Sequence, residues 1–248
     1  MASKIDTTEE PPILRPFFRK LNRLVQLADE DEQAILSLPA RLEEVPSGHD
    51  LVREGQEVRE CCLLLQGYAC RHKSTEEGGR QIVSFHLPGD MLDLQHLLFP
   101  VADHNVQAVT AATVAWIPTA DLQSIALERP AVGQALWRDT LIDASIFREW
   151  VLNVGRRDAR SRLAHMLCEF AARRQAAGLG SPEHFTLPMS QEQIGDATGL
   201  TAVHVNRMLR SLREEGVIEQ KNKAIRIVDW EGLRRIGGFD PTYLHAAA

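Results

Sequence analysis

The side chains best equipped to do chemistry lie between Met189 and Val228. Wound as a helix, Ala202 to Glu215 gathers Val205, Met208, Leu209 and Leu212 on one side. The opposite side presents Val203, Arg207 and Arg210, flanked by Asn206, Ser211 and His204. A guanidinium fork matches N7 and O6 of guanine, an Asn amide pairs with adenine, and a Val methyl meets a thymine methyl, so this face has the composition of a major-groove reader. Base contacts are expected from the N-terminal half of such a helix, at Val203, Asn206 and Arg207, with His204 and Arg210 on phosphate or in secondary contacts. Ser190, Gln191, Thr201, Lys221 and Lys223 would grip the DNA backbone. The competing reading is a solvated helix face in a protein-interaction module.

The neighbouring residues supply the elements that aim this face. Ser190 with Gln193 three residues on is a capping box for a helix from Gln191 to Ala197. Gly199 is the permissive turn residue, Thr201 can cap the second helix, and Gly216 ends it. Two short helices joined by a glycine-bearing turn make a helix-turn-helix. Val217 to Glu219 and Ala224 to Val228 read as strands around the polar turn Lys221-Asn222-Lys223, which makes the motif winged.

Charge divides the chain at the same level. Of 248 residues, 1–154 carry 14 Lys and Arg against 23 Asp and Glu, a net −9; residues 155–248 carry 14 against 11, a net +3. Only the C-terminal part is therefore suited to an acidic partner. No run of 18 apolar residues exists, the longest uncharged stretch (104–120) is broken by Thr, Gln and Pro, and the start has no basic residues leading into an apolar block. A cytoplasmic protein with no membrane contact is expected.

Ahead of the motif, the first 20 residues are polar and proline-bearing and read as an arm. Residues 21–129 begin with one or two short helices over Leu21 to Leu38. Gly48, Gly55, Gly67, Gly78-Gly79 and Gly89 then punctuate short apolar segments, the pattern of a β-roll. A long helix follows over 130–154, with apolar residues pointing in most directions and one polar stripe at Arg138, Ser145 and Glu149. A helix with so little wet surface must bury two faces. One is assigned to its own roll and the other to a second copy, through Leu136, Thr140, Asp143, Phe147, Trp150, Val151 and Val154. Asn153-Val154-Gly155 is read as the hinge to a C-terminal domain over 155–248. The class is α+β: an N-terminal jelly-roll β-roll, a long dimerisation helix and a C-terminal winged helix-turn-helix.

This order, together with Pro88-Gly-Asp90 and the run from Gln193 to Leu209, resembles the Crp/Fnr family of bacterial transcription regulators over nearly the whole chain. The resemblance implies a homodimer on palindromic double-stranded DNA, a signal-sensing roll, and Arg207 as the guanine reader. RNA polymerase and an unidentified small-molecule effector are its further expected partners. Ala202 and Val203 stand where many members carry polar base readers, so no target sequence carries over.

In cyclic-nucleotide-binding members a Gly-Glu pair holds the ribose and an Arg-Ser pair the phosphate; here Asp93-Leu94 and Ala102-Asp103 match those positions. Losing the phosphate cation and gaining a carboxylate repels a cyclic phosphate, so no cyclic AMP binding in that mode is expected. No cysteine cluster precedes Cys61, which removes the iron–sulfur arrangement of the family's oxygen sensors. Cys61, Cys62 and Cys70 flank a hairpin turn and offer an alternative, redox-responsive reading. Adjacent strand residues face opposite ways, however, so at most one of the first two could meet Cys70. His72, His86, His96 and His104, with Asp93 and Asp103, could be imagined as the metal site of a cupin-like enzyme, but the His-x-His spacing with a following Glu is missing. No catalytic residue, metal or cofactor is called for.

Overall fold

The glycines and caps that punctuate the sequence divide the chain into ten strands and eight α-helices, seen in a computed structural model that describes residues 12–245. The roll is built from β1 (Arg41–Val45), β2 (Asp50–Val52), β3 (Glu60–Gln66), β4 (Ala69–Ser74), β5 (Arg80–His86), β6 (Asn105–Ala108) and β7 (Ala112–Pro118). They form two antiparallel sheets, ordered β1-β7-β3 and β2-β6-β4-β5, with Cys62 opposite Trp116 in one and Cys70 opposite Phe85 in the other. Gly67 turns the β3–β4 hairpin at φ +85°, and a Cβ there would meet the Ala111 carbonyl oxygen at 2.5 Å, so the position requires glycine.

Helix α1 (Arg15–Leu24) corrects the expected arm: from Arg15 on, the chain is helical and packed. Pro16 starts the helix, while Phe17, Phe18 and Leu21 are buried with Leu14 in a core shared with α3 (Thr119–Glu128) and α4 (Pro130–Arg156). The rest of the expected arm, 1–11, lies outside the described residues. Helix α2 (Asp29–Leu36) adds Ile35 to that core.

The hinge also sits later than its sequence suggested. Helix α4 runs straight through Gly155, which meets no neighbour that would force a bend, and ends where Arg157 becomes extended. Asp158 then caps α5 (Ala159–Ala176), accepting the Ser161 amide at 2.9 Å.

Helix α4 buries two faces, but not those assigned from its wheel. Leu136 is 5% exposed and packs beneath α1, and Trp150 is 7% exposed, set edge-on to Phe85 with its indole N–H donated to Glu169 of α5. Asp143 pairs with Arg71 of the roll at 2.6 Å. These three serve the protomer's own core and leave the expected subunit seam. The polar stripe divides: Ser145 is buried and Glu149 bonds Arg157, while Arg138 stays exposed and donates to the Leu24 carbonyl. The apolar side left open carries Trp137 (69% exposed), Leu141, Val151 (74%) and Leu152, with the first three on one stripe completed by Ala144, Arg148 and Gly155. Thr140, Phe147 and Val154 flank it.

The three cysteines of the redox alternative fall into three separate core clusters: Cys61 beneath α1, Cys62 between the sheets and Cys70 against Trp150. All are buried, and burial pushes the thiols upward, Cys70 to about 12. Thiols so protonated and so separated do not favour the redox reading over the main one.

Inside the roll, Asp93 accepts the Cys62 amide at 2.9 Å through one oxygen, while the other has no partner among the described residues. Burial raises this carboxyl to about 7. A carboxyl raised by folding stays protonated in the native state after it has ionised in the unfolded one. Stability is therefore present below the usual carboxylate range and lost as pH climbs to about 7. Asp93→Asn, which keeps the neutral form, should raise the melting temperature at pH 8 and change it little at pH 4. Equal shifts at both values in thermal melts would refute this.

Candidate nucleic-acid interface

The reading unit is assembled by local signals. Helix α6 (Gln191–Thr198) starts at the Ser190 capping box: the Ser190 hydroxyl accepts the Gln193 amide at 3.1 Å, and the Gln193 side chain accepts the Ser190 amide at 2.8 Å. Gly199 ends it in the left-handed conformation at φ +66°. Thr201 then caps α7 (Ala202–Glu214), accepting the His204 amide. Gly195 lets the turn close, since a Cβ there would lie 2.4 Å from the Leu200 carbonyl oxygen. Backbone cannot yield as a flexible side chain does, so Gly195→Ala should cost about 1–3 kcal/mol in a melting curve and weaken DNA binding although no contact residue is altered. A variant as stable as the parent would show that the turn tolerates a methyl group.

Val205, Leu209 and Leu212 anchor α7 in the core with Met166, Phe170 and Ile194. That anchoring leaves Val203 (81% exposed), Asn206, Arg207 and Arg210 projecting from the opposite face, as their spacing predicted. The Arg207 guanidinium lies against the His204 ring. Arg210 bonds Glu214 one turn on, at 2.9 Å, an exposed pair that a phosphate can replace at little cost. Ser190, Thr201, Lys221 and Lys223 are exposed and Gln191 is half-exposed.

The wing is β9 (Ile218–Lys221) and β10 (Ala224–Ile227), with Asn222 at φ +55° in the turn, and a third strand, β8 (His184–Thr186), pairs with β10. The sequence reading missed β8, and also missed α8 (Trp230–Gly237), although Asp229 caps that helix and Gly238 closes it. It also passed over Arg213. That residue lies seven positions beyond Asn206 on the same exposed side and lines a cleft with His184, Lys221 and Arg226. The i, i+7 spacing was the signal for it.

The unit is not free of the roll. Arg80 of β5 bonds Asp196 of α6 at 2.7 Å, and the Gln81 amide donates to the Ala197 carbonyl.

In the roll itself, Leu94 and Ala102 are buried and apolar, and Asp103 turns outward to His104 at 2.6 Å. Arg71, the buried cation nearby, is held by Asp143 and by the Leu92 carbonyl. His96 stacks on His104 with ring centroids 6.0 Å apart, and among the described residues no three His, Cys, Asp or Glu side chains converge to hold a metal.

Comparison with known proteins matches the two halves separately. Residues 161–236 match the Crp-like helix-turn-helix domain and residues 42–129 the cyclic nucleotide-binding domain. This chain belongs to the Crp/Fnr family. Among its Crp/Fnr relatives, the transcriptional activator protein FnrA of Stutzerimonas stutzeri is 27% identical over 84% of this chain and 85% of its own length. Electron transport regulator A of Shewanella oneidensis is 28% identical over 90% and 86%. The solved structure of FixK2 from Bradyrhizobium japonicum superposes with a TM-score of 0.75 at 25% identity, covering 82% of this chain and all of that one. A CRP-family regulator of Thermus thermophilus shares the fold at a TM-score of 0.64 and 22% identity, over 83% of this chain and all of the other. The Crp/Fnr assignment makes the chain a transcription regulator with a helix-turn-helix. Among the described residues, no helix is long and apolar enough to cross a membrane.

Proposed function

We propose that this regulator acts in the cytoplasm as a homodimer, pairing along the open side of α4 and placing its two α7 helices in successive major grooves of a palindromic site. The observation that carries the proposal is the division of α7, with Val205, Leu209 and Leu212 buried inside while Val203, Asn206, Arg207 and Arg210 are exposed on the opposite face. Val203, Asn206 and Arg207 read bases, with His204, Arg210 and Arg213 beside them. Ser190, Gln191, Thr201, Lys221 and Lys223 hold the sugar-phosphate backbone. RNA polymerase is the partner through which a DNA-bound dimer acts, and a small molecule other than cyclic AMP is the input.

The test is selection of bound sequences from random DNA followed by titration. The expected result is a palindrome with half-sites about 10 bp apart and an affinity that falls steeply with salt. Recovery of unrelated sequences, or strong stimulation by cyclic AMP, would overturn the corresponding part.

A further inference from the structure

A cavity of about 1060 Å³ opens between the two halves of the protomer. Its walls are α1, the Pro88–Asp90 turn and α4 from the sensor, and the end of α5 with the segment Phe239–His245 from the DNA-binding half. The size is that of a site for a small metabolite.

The charges lining it do not balance. Three carboxylates face six cations, and each carboxylate is already engaged: Asp90 by Lys20 at 3.0 Å and Arg173 at 3.1 Å, Asp139 by Lys20 at 2.8 Å, Asp143 by Arg71 at 2.6 Å. The other three cations find no carboxylate within the cavity. Among the described residues Arg19 makes no ion pair, Arg23 donates to the Ala176 carbonyl, and Arg234 bonds the Phe239 carbonyl and reaches only its exposed helix neighbour Glu231, at 3.8 Å. Two further polar atoms on the lining lack any partner there: Nε of Arg71, a residue 6% exposed, and Nε2 of His86, 3% exposed. Buried donors and acceptors left empty cost free energy that a polar ligand recovers. Met91, Leu94, Ile146 and Phe239 supply apolar surface in the same space.

We propose that this cavity binds a small organic anion, a carboxylate or phosphate on a partly apolar body. The proposal rests on the reading of the chain as a regulator with a small-molecule input, and it gives that input a class and a place. A ligand here touches both halves at once, so its occupancy fixes how the winged unit sits against the roll.

The probe is 1-anilinonaphthalene-8-sulfonate, an organic anion with an apolar body, titrated into the purified full-length protein without DNA. Saturable binding of one dye per chain is expected. Displacement by citrate and not by fructose 1,6-bisphosphate assigns a carboxylate ligand, and the reverse assigns a phosphate. Arg19→Gln combined with Arg234→Gln, both at accessible positions, should weaken dye binding about tenfold with the melting temperature unchanged. Arg207→Ala should leave dye affinity intact, which separates this site from the DNA interface. Dye that neither anion displaces, or affinity indifferent to the double substitution, overturns the proposal whatever the DNA measurements show.

Discussion

Glutamate at Trp137 and Leu141 together will turn the dimer into a monomer. Both residues are exposed large apolar side chains on the open stripe of α4, continued by Val151. Two such stripes packed together bury several large side chains, each contributing about 1.5–3 kcal/mol. Four like charges introduced across the seam oppose that gain directly. Without the second subunit each reading helix binds alone, and loss of the shared attachment should lower affinity for the palindrome by about a hundredfold or more. Light scattering with a DNA titration reads both effects. A double variant that remains dimeric removes α4 as the seam. Leu136→Ala makes the contrast: its side chain belongs to the protomer's own core, so it should cost about 2–5 kcal/mol in stability without altering subunit number while folded.

Arg207→Ala should lose about 1–3 kcal/mol at one base position in each half-site and relax the preference for guanine there. The reasoning is geometric: Arg207 projects from the face opposite the buried Val205, Leu209 and Leu212, with the His204 ring beside its guanidinium. Because the dimer carries it twice, the loss on a full palindrome is about double the loss on a half-site. Lys223→Ala, in the wing turn, should instead weaken all sequences alike and flatten the salt dependence. Uniform weakening by Arg207→Ala in a binding-site selection would move it from the bases to the backbone.

The contrast between these two sites shows what the chain declares locally and what it does not. The helix-turn-helix was legible because its instructions sit within a few residues of where they act: the Ser190 box, Gly199, the Thr201 cap and the apolar side of α7. The same kind of signal was present and unread at Pro16, where a helix start passed for an irregular arm. It was present again at Asp229 and Gly238, which bracket α8. The α4 seam was different in kind. Its wheel is apolar nearly all round, and only the placement of α1 and the roll decides that Leu136 and Trp150 turn inward while Trp137 and Val151 stay open. Asp93 was visible as a carboxylate, but its neutral tendency comes from a burial that no neighbour in sequence announces.

The bonds from Arg80 to Asp196 and from Gln81 to the Ala197 carbonyl tie α6 to β5, the edge strand of its sheet. Since α6 and α7 share a tight glycine turn, α7 is joined to the roll through α6 as well as through the covalent path along α4 and α5.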